Sequence, residues 1–267
     1  MKIAQALRLS SLVSLSQAFA PLQMAPQSAE FSPFSQVKGV IWDVDGTLAD
    51  SWKLGYDATA VVLKNNGVAH ITEEEYHQGT VYCTPERLAR HAGLEPGDED
   101  FDKVGERLGQ EFDNMYVDLV GMDTAGFYPG ISLLLNNLPQ DVRLGALTNA
   151  CVAYAHAVLK TNCPVMANGE MEEGAIYSRF GSIRGADNVP TPKPSPDGLL
   201  EVCKDLGLKP DECIYVGDSP SDGAAAKSAG MGAIGVLWGS HPEENLRKAP
   251  FDYLCRTVEE LQALMPR

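Results

Sequence analysis

The chain has 267 residues, 44% of them hydrophobic, which suits one large domain or a core domain carrying a smaller insertion. Its 36 acidic side chains outnumber 21 basic ones, and the formal net charge of -15 repels phosphate backbones and anionic lipid surfaces, so nucleic acid and membranes are set aside as partners. No window reaches the roughly 18 consecutive apolar residues of a membrane span. The six cysteines form no C-x-x-C pair and have no histidines at zinc spacing, so packed, reduced thiols are expected. A small anionic substrate stays compatible with the acidity, because local cations outweigh a distant surface within a Debye length of about 8 Å.

Residues 1 to about 36 differ from the rest: Lys2 and Arg8 are their only basic residues and Glu30 their only acidic one, amid many Ser, Ala and Leu. That composition belongs to a targeting segment. Leu9 to Ala20 is a weak signal-peptide core, and Gln17-Ala18-Phe19-Ala20-Pro21 resembles the cleavage junction in presequences of algae with plastids of secondary, red-algal origin. Plastid (chloroplast) import is therefore expected. The alternatives are a disordered tail on a cytoplasmic protein and a simple secretory signal.

From Val37 the pattern changes. Val37 to Trp42 is a short apolar run that stops at Asp43, as a buried parallel strand does. Residues 52–125 carry apolar positions at helical spacing, including Leu108, Phe112, Met115, Tyr116 and Leu119, and little strand character, so a helical cap domain is expected there, inserted into a core formed by residues 37–51 and 126–267. Strand signals resume at Val142 to Leu147, near Ser182-Ile183, at Cys213 to Val216 and at Met231 to Val236. Helices are expected at Ile131 to Asn137, Val152 to Lys160, Pro196 to Leu206, with Ser195 as cap, and Ser221 to Ala229. This alternation predicts an α/β fold, a Rossmann-like parallel sheet with helices on both faces.

In such sheets ligands sit outside the carboxyl ends of the strands. The residues there are Asp43-Val44-Asp45-Gly46-Thr47, Thr148-Asn149, and Gly217-Asp218-Ser219-Pro220-Ser221-Asp222, with Lys193 in the proline-stiffened loop Thr191-Pro192-Lys193-Pro194. Four carboxylates, one hydroxyl and one ammonium thus share one sheet edge. A single acidic strand end is an ordinary solvated loop or helix cap, but this accumulation calls for a cation, and Mg²⁺ takes such hard oxygen ligands together with substrate phosphate.

In their order, Asp43-x-Asp45-Gly46-Thr47, Thr148, Lys193 and Gly217-Asp218-x-x-x-Asp222 resemble the four signature motifs of the haloacid dehalogenase superfamily, a likeness covering Val37 to Leu264. The resemblance implies a Mg²⁺-dependent phosphatase of a small phosphorylated metabolite. Asp43 is its implied nucleophile and Asp45 the acid for the leaving alcohol and then the base for water. Thr148 is implied to hold a phosphoryl oxygen, with Thr47 and Asn149 beside it in the substrate site, and Lys193 to neutralise nucleophile and phosphoryl group. Asp43, the carbonyl of Asp45 and Asp218 are the implied metal ligands, and Asp222 orients metal-bound waters or Lys193. The chemistry agrees: a carboxylate attacking phosphorus splits one hard hydrolysis into two displacements, and a carboxyl two residues on projects to the same side.

The carboxyl at Asp45 favours phosphate esters over the dehalogenase and phosphonatase reactions. Ala225 to Met231 and Gly235 to Gly239 look most like the phosphoglycolate phosphatase branch, from which Ala150 departs, a lysine being frequent there. In the cap, Arg87, Arg90 and His91 share a helix face, and the two arginines are candidates for a substrate carboxylate. The other histidines, and Trp42 and Trp52, are read as surface or packing. The rival readings are a sugar-phosphate phosphatase or phosphomutase, a nucleotidase, and a non-catalytic binding protein on the same fold.

Overall fold

All four residues of the strand Gly39–Trp42 are buried. Val40 and Trp42 point into one apolar cluster and Ile41 into another, so the strand is covered on both faces, as its unbroken apolar run requires. The computed structural model describes residues 32–163 and 176–267, together with the backbone of three short strands at Gln23–Met24, Val165–Ala167 and Glu170–Glu172.

In chain order the strands are β1 (Gln23–Met24), β2 (Gly39–Trp42), β3 (Ala49–Asp50), β4 (Gly126–Phe127), β5 (Arg143–Leu147), β6 (Val165–Ala167), β7 (Glu170–Glu172), β8 (Phe180–Arg184), β9 (Cys213–Gly217), β10 (Gly232–Val236) and β11 (Tyr253–Cys255). The helices are α1 (Trp52–Asn65), α2 (Glu73–Gly79), α3 (Thr84–His91), α4 (Phe101–Asp118), α5 (Ile131–Asn137), α6 (Val152–Asn162), α7 (Asp197–Leu206), α8 (Pro220–Ala229), α9 (Glu243–Leu246) and α10 (Val258–Leu264).

Seven strands form one parallel sheet in the order β1-β11-β10-β9-β2-β5-β8. Helices α5, α6 and α10 contribute to the cluster on one face, and α7 and α8 to that on the other, giving three layers. From β2 the chain steps to β5 and β8, then crosses to β9 on the opposite side of β2. The strand order therefore reverses between β5, β2 and β9, the place where open α/β sheets bind ligands. Trp42 at the end of β2 is level with Ala146 of β5 and Val216 of β9, so Asp43, Thr148 and Asp218 emerge side by side.

Just past the first loop, β3 pairs antiparallel with β4, Ala49 against Phe127 and Asp50 against Gly126. Helices α1 to α4 lie between these two strands in sequence. They pack through Leu54, Ala58 and Val62 of α1, Leu88 of α3, and Leu108, Phe112 and Tyr116 of α4, all buried. Close approach of α3 to α4 needs the glycine at position 105, where a Cβ would stand 2.6 Å from the Pro85 carbonyl oxygen.

Three expectations shift. The N-terminal extension was expected to run to about residue 36, yet Ser32 Oγ donates to the Leu264 carbonyl at 2.6 Å, and Phe34 meets Tyr253 edge-on at 5.6 Å, so packing begins at Ser32 or earlier. The rest of the segment expected to be a presequence, residues 1–31, lies outside the described residues apart from the backbone of β1, which pairs with β11. Strand β11 itself carries too short an apolar run to signal a strand. Helix α7 starts at Asp197, one residue later than expected, with the Asp197 N–H donating to Ser195 Oγ at 3.3 Å. The six cysteines carry no disulfide, and Cys203 and Cys213 bring their sulfurs to 3.8 Å. Among the described residues no helix is long and apolar enough to cross a membrane.

Candidate active site

The loop after β2 turns sharply because Leu48 and Ala49 both donate to the Val44 carbonyl and Gly46 donates to that of Ala49. Val44 is fully buried, so its neighbours Asp43 and Asp45 project to the other side, into a cleft. Gly46 has φ 72°, and a Cβ there would collide with the Asp218 carboxylate, so the residue satisfies both the backbone and the approach of the two acidic loops.

Lys193 lies between two carboxylates. Its Nζ donates to Asp43 Oδ1 at 2.8 Å and to Asp222 Oδ1 at 2.7 Å, and reaches the Tyr215 hydroxyl at 3.1 Å. Burial opposes its charge, but Asp222 and Asp43 outweigh burial and hold the ammonium above its ordinary pKa. Asn149 fixes the loop: its Oδ1 accepts from the Lys193 N–H and its Nδ2 donates to the Lys193 carbonyl, both at 3.0 Å. The Asn149 amide thus positions Lys193, and the residue also lines the cleft, where it was expected. Asp222 caps α8, its Oδ2 accepting from the Ser219 N–H and hydroxyl. It is fully buried, stands behind Lys193 and does not line the cleft. Thr47 is also turned inward, fully buried, with its hydroxyl 3.5 Å from Asp43 Oδ2, so it supports the nucleophile rather than the substrate.

Asp43, Asp218 and Asp222 each offer an oxygen within 4.8 Å of the others. Burial and then the charge of Asp222 push Asp218 up to about 7. The same two causes raise Asp43, with Lys193 opposing. Three buried carboxylates face one ammonium, and this imbalance is what a divalent cation would relieve. Hard oxygen donors on loops at a sheet edge fit such a cation. Since Asp222 is committed to Lys193, Tyr215 and Ser219, Asp43 and Asp218 are the carboxylates open to it.

Asp45 is held differently. Its Oδ1 accepts from three hydroxyls, Ser51 at 2.6 Å, Tyr154 at 2.6 Å and Tyr116 at 2.8 Å, and its Oδ2 from Thr148 at 3.1 Å. The two tyrosines and Ser51 were not among the expected site residues. Tyr116 belongs to an apolar stripe of α4 that reads as core, and the sequence carries no signal of what its hydroxyl meets.

Helices α1 to α4 roof a cleft of about 140 Å³ over these loops. Arg87 of α3 lines it, buried, with its guanidinium over the rings of Tyr76 at 5.1 Å and Phe112 at 4.9 Å and one N–H on Thr59 Oγ1 at 2.7 Å. Among the described residues no carboxylate pairs with it. Arg90, expected beside it in the substrate site, instead forms ion pairs with Glu86 at 2.9 Å and Glu95 at 3.4 Å, stacks on Tyr82 and does not line the cleft. Two histidines and a tryptophan read as surface or packing do line it: His77, His241 and Trp52, with Trp52 stacked on His77 at 5.3 Å.

The sequence profile described as haloacid dehalogenase-like hydrolase matches residues 40–236. The phosphoglycolate phosphatase of Escherichia coli O157:H7 is 25% identical over 250 residues, 86% of this chain and 93% of that one. That of Nitrosospira multiformis is 26% identical over 234 residues, 86% of this chain and 96% of that one. Among solved structures, CbbY from Rhodobacter sphaeroides in complex with phosphate superposes with a TM-score of 0.64 at 24% identity, covering 82% of this chain and 93% of that one. A hydrolase from Pseudomonas syringae does so at 0.65 and 23%, covering 84% and 95%. The profile spans most of the chain, including the loops that carry Asp43, Asp45, Thr148, Lys193, Asp218 and Asp222, so the protein belongs to the haloacid dehalogenase-like hydrolases.

Proposed function

We propose that this hydrolase is a Mg²⁺-dependent phosphatase that cleaves a small phosphate monoester bearing a carboxylate, 2-phosphoglycolate, through a phosphoaspartate on Asp43. One juxtaposition carries the reading: the Asp43, Lys193 and Asp218 cluster at the strand ends faces, across the cleft, the unpaired buried guanidinium of Arg87. Phosphoglycolate phosphatases among the relatives support the substrate. So does the cleft, close in size to a ~150 Å³ cavity that takes a benzene-sized ligand.

Asp43, Asp218 and the carbonyl of Asp45 would hold the Mg²⁺, which supplies charge neutralisation for the nucleophile and the transferred group. Asp43 attacks phosphorus while Asp45 gives its proton to the leaving alkoxide, and the phosphoryl group becomes an acyl phosphate on Asp43. Asp45, now a carboxylate, takes a proton from water as its oxygen attacks phosphorus, releasing phosphate and restoring Asp43. Lys193 and Thr148 hold equatorial oxygens, where a loose transition state carries its charge.

The substrate is tested by phosphate release from a panel of phosphoglycolate, sugar phosphates, nucleotides and 4-nitrophenyl phosphate. Phosphoglycolate is expected to have the highest kcat/KM. Arg87→Met, which keeps the bulk between Tyr76 and Phe112, is expected to lower kcat/KM for phosphoglycolate by about 1.5–3 kcal/mol, roughly tenfold to a hundredfold, and to spare the nitrophenyl ester. A tenfold preference for a sugar phosphate or nucleotide overturns the substrate.

Metal binding is tested by thermal unfolding. Asp218 sits near 7 in the fold against an ordinary 3.8, so between these values the native state holds protons that the unfolded chain has released, and stability falls as pH rises through the window. A cation at the site removes that loss. The rise in melting temperature on adding Mg²⁺ is therefore expected to grow from pH 5 to pH 8, by roughly 5 °C. Reading the increment at each pH cancels opposite contributions from groups remote from the metal, such as His91, which burial and Arg87 lower to about 4. An increment that does not change with pH, or that survives in Asp218→Ala, removes Asp218 from the metal site.

A further inference from the structure

Asp45 has about four acceptor positions on its two oxygens, and four hydroxyls occupy them unequally. Three converge on Oδ1 and one on Oδ2. Two of the three come from different layers of the fold. Tyr116 stands on α4 of the helical roof and Tyr154 on α6 of the core, with their rings stacked at 3.9 Å and 13° so that both hydroxyls reach the same oxygen. Packing alone would need only the rings.

We propose that Tyr116 and Tyr154 are positioning residues that pin Oδ1 of Asp45 and leave Oδ2 as the oxygen that carries the catalytic proton. This rests on the reading of Asp45 as acid and base. An aspartate carboxyl turns readily about its last torsion, whose profile is broad and roughly two-fold, so nothing in Asp45 itself chooses the oxygen that faces the leaving group. Oδ1, with three donors on it, has no room for a proton. Among the described residues Oδ2 meets only the hydroxyl of Thr148, a residue of the cleft beside Asp43. Both phenols donate to Oδ1, Tyr154 at 2.6 Å and Tyr116 at 2.8 Å, which occupies that oxygen from two helices at once. Since Tyr116 arrives on the roof, the clamp is complete only when α4 packs against α6, which ties the aim of the acid to the closed cleft.

The test separates proton delivery from packing by the leaving group. Benzyl phosphate expels a basic alkoxide and needs the acid, whereas 4-nitrophenyl phosphate, of similar size, expels a stable phenolate and does not. Neither carries a carboxylate for Arg87. Because kcat/KM covers only the steps through leaving-group release, Tyr116→Phe and Tyr154→Phe are each expected to lower it about tenfold for benzyl phosphate and about twofold or less for the nitrophenyl ester, a part of the 10²–10⁴ that acid catalysis supplies. The kcat should fall for both esters where water activation limits turnover. In an Asp45→Asn background the phenylalanine substitutions should add no selectivity, since no proton remains to be aimed. Equal losses of kcat/KM on both esters assign the tyrosines to packing, and no loss leaves their hydroxyls idle; either overturns the proposal. Asp45→Asn alone keeps the two failures apart. If it shows no leaving-group selectivity, the acid assignment falls and takes the clamp with it; if it does while the tyrosine variants do not, only the clamp falls.

Discussion

Asp43→Asn is expected to yield a folded protein with no measurable phosphate release, a loss of about 10⁴-fold or more. The amide keeps the size of the side chain and lacks the charge that attacks phosphorus, and no other carboxylate can substitute. Asp222 is fully buried behind Lys193, Asp218 has Oδ2 on the Ser240 N–H at 2.7 Å, and Asp45 is held by its four hydroxyls. Stability should stay level or rise, because in the absence of a cation burial and Asp222 oppose the charge of Asp43 more than Lys193 supports it. Steady-state kinetics and a thermal melt on the same sample check both halves. Residual turnover above about 1% of wild type with 2-phosphoglycolate would remove Asp43 as nucleophile.

Lys193→Met carries the second large effect, and it differs in kind. The ammonium is buried between Asp43 and Asp222, and taking it away leaves two buried carboxylates without their common partner. Breaking a buried pair by removing one member costs about 3–5 kcal/mol, which in a domain of this size lowers the melting temperature by roughly 6–20 °C. Turnover should fall about 10²–10³-fold as the positive charge on the transferring group is lost. Lower pH should return part of the stability. Asp43, which burial and the charge of Asp222 raise in the fold even against Lys193, takes up a proton in the native state before it does in the unfolded chain. A melting temperature within about 2 °C of wild type, measured with chelator, would show that Lys193 does not balance the buried acids.

The alternation of apolar runs and helical stretches was enough to place the core strands β2, β5, β8, β9 and β10 and the helices between them to within a few residues, since period and length are properties of neighbouring residues. Strand β11 escaped because its three residues carry too short an apolar run, and the packing of Ser32 and Phe34 escaped because their partners, Leu264 and Tyr253, lie at the far end of the chain. In the site, residues directly after a strand were legible for the same local reason. Asp43, Asp45, Thr148 and Asp218 follow strands that end level with one another, and the parallel register carries them to one place.

What the sequence by itself determined was the set of acidic and polar groups at the strand ends, because adjacency along the chain and a parallel sheet leave them no other location. Only the tertiary structure decided which of them faces substrate. Arg87 and Arg90 share a helix face at three-residue spacing. The packing of α3 against α4 turns Arg87 onto Tyr76 and Phe112 in the cleft, while Glu86 and Glu95 take Arg90 outside it. Thr47 and Asp222 lie in the motifs yet turn inward, since a buried nucleophile and a buried ammonium each need a hydrogen-bonding partner behind them. Tyr116 and Tyr154 are 71 and 109 residues from Asp45 in the chain and carry no motif. Their convergence on Oδ1 of that carboxyl comes from two helices crossing over it, a contact that no periodicity encodes.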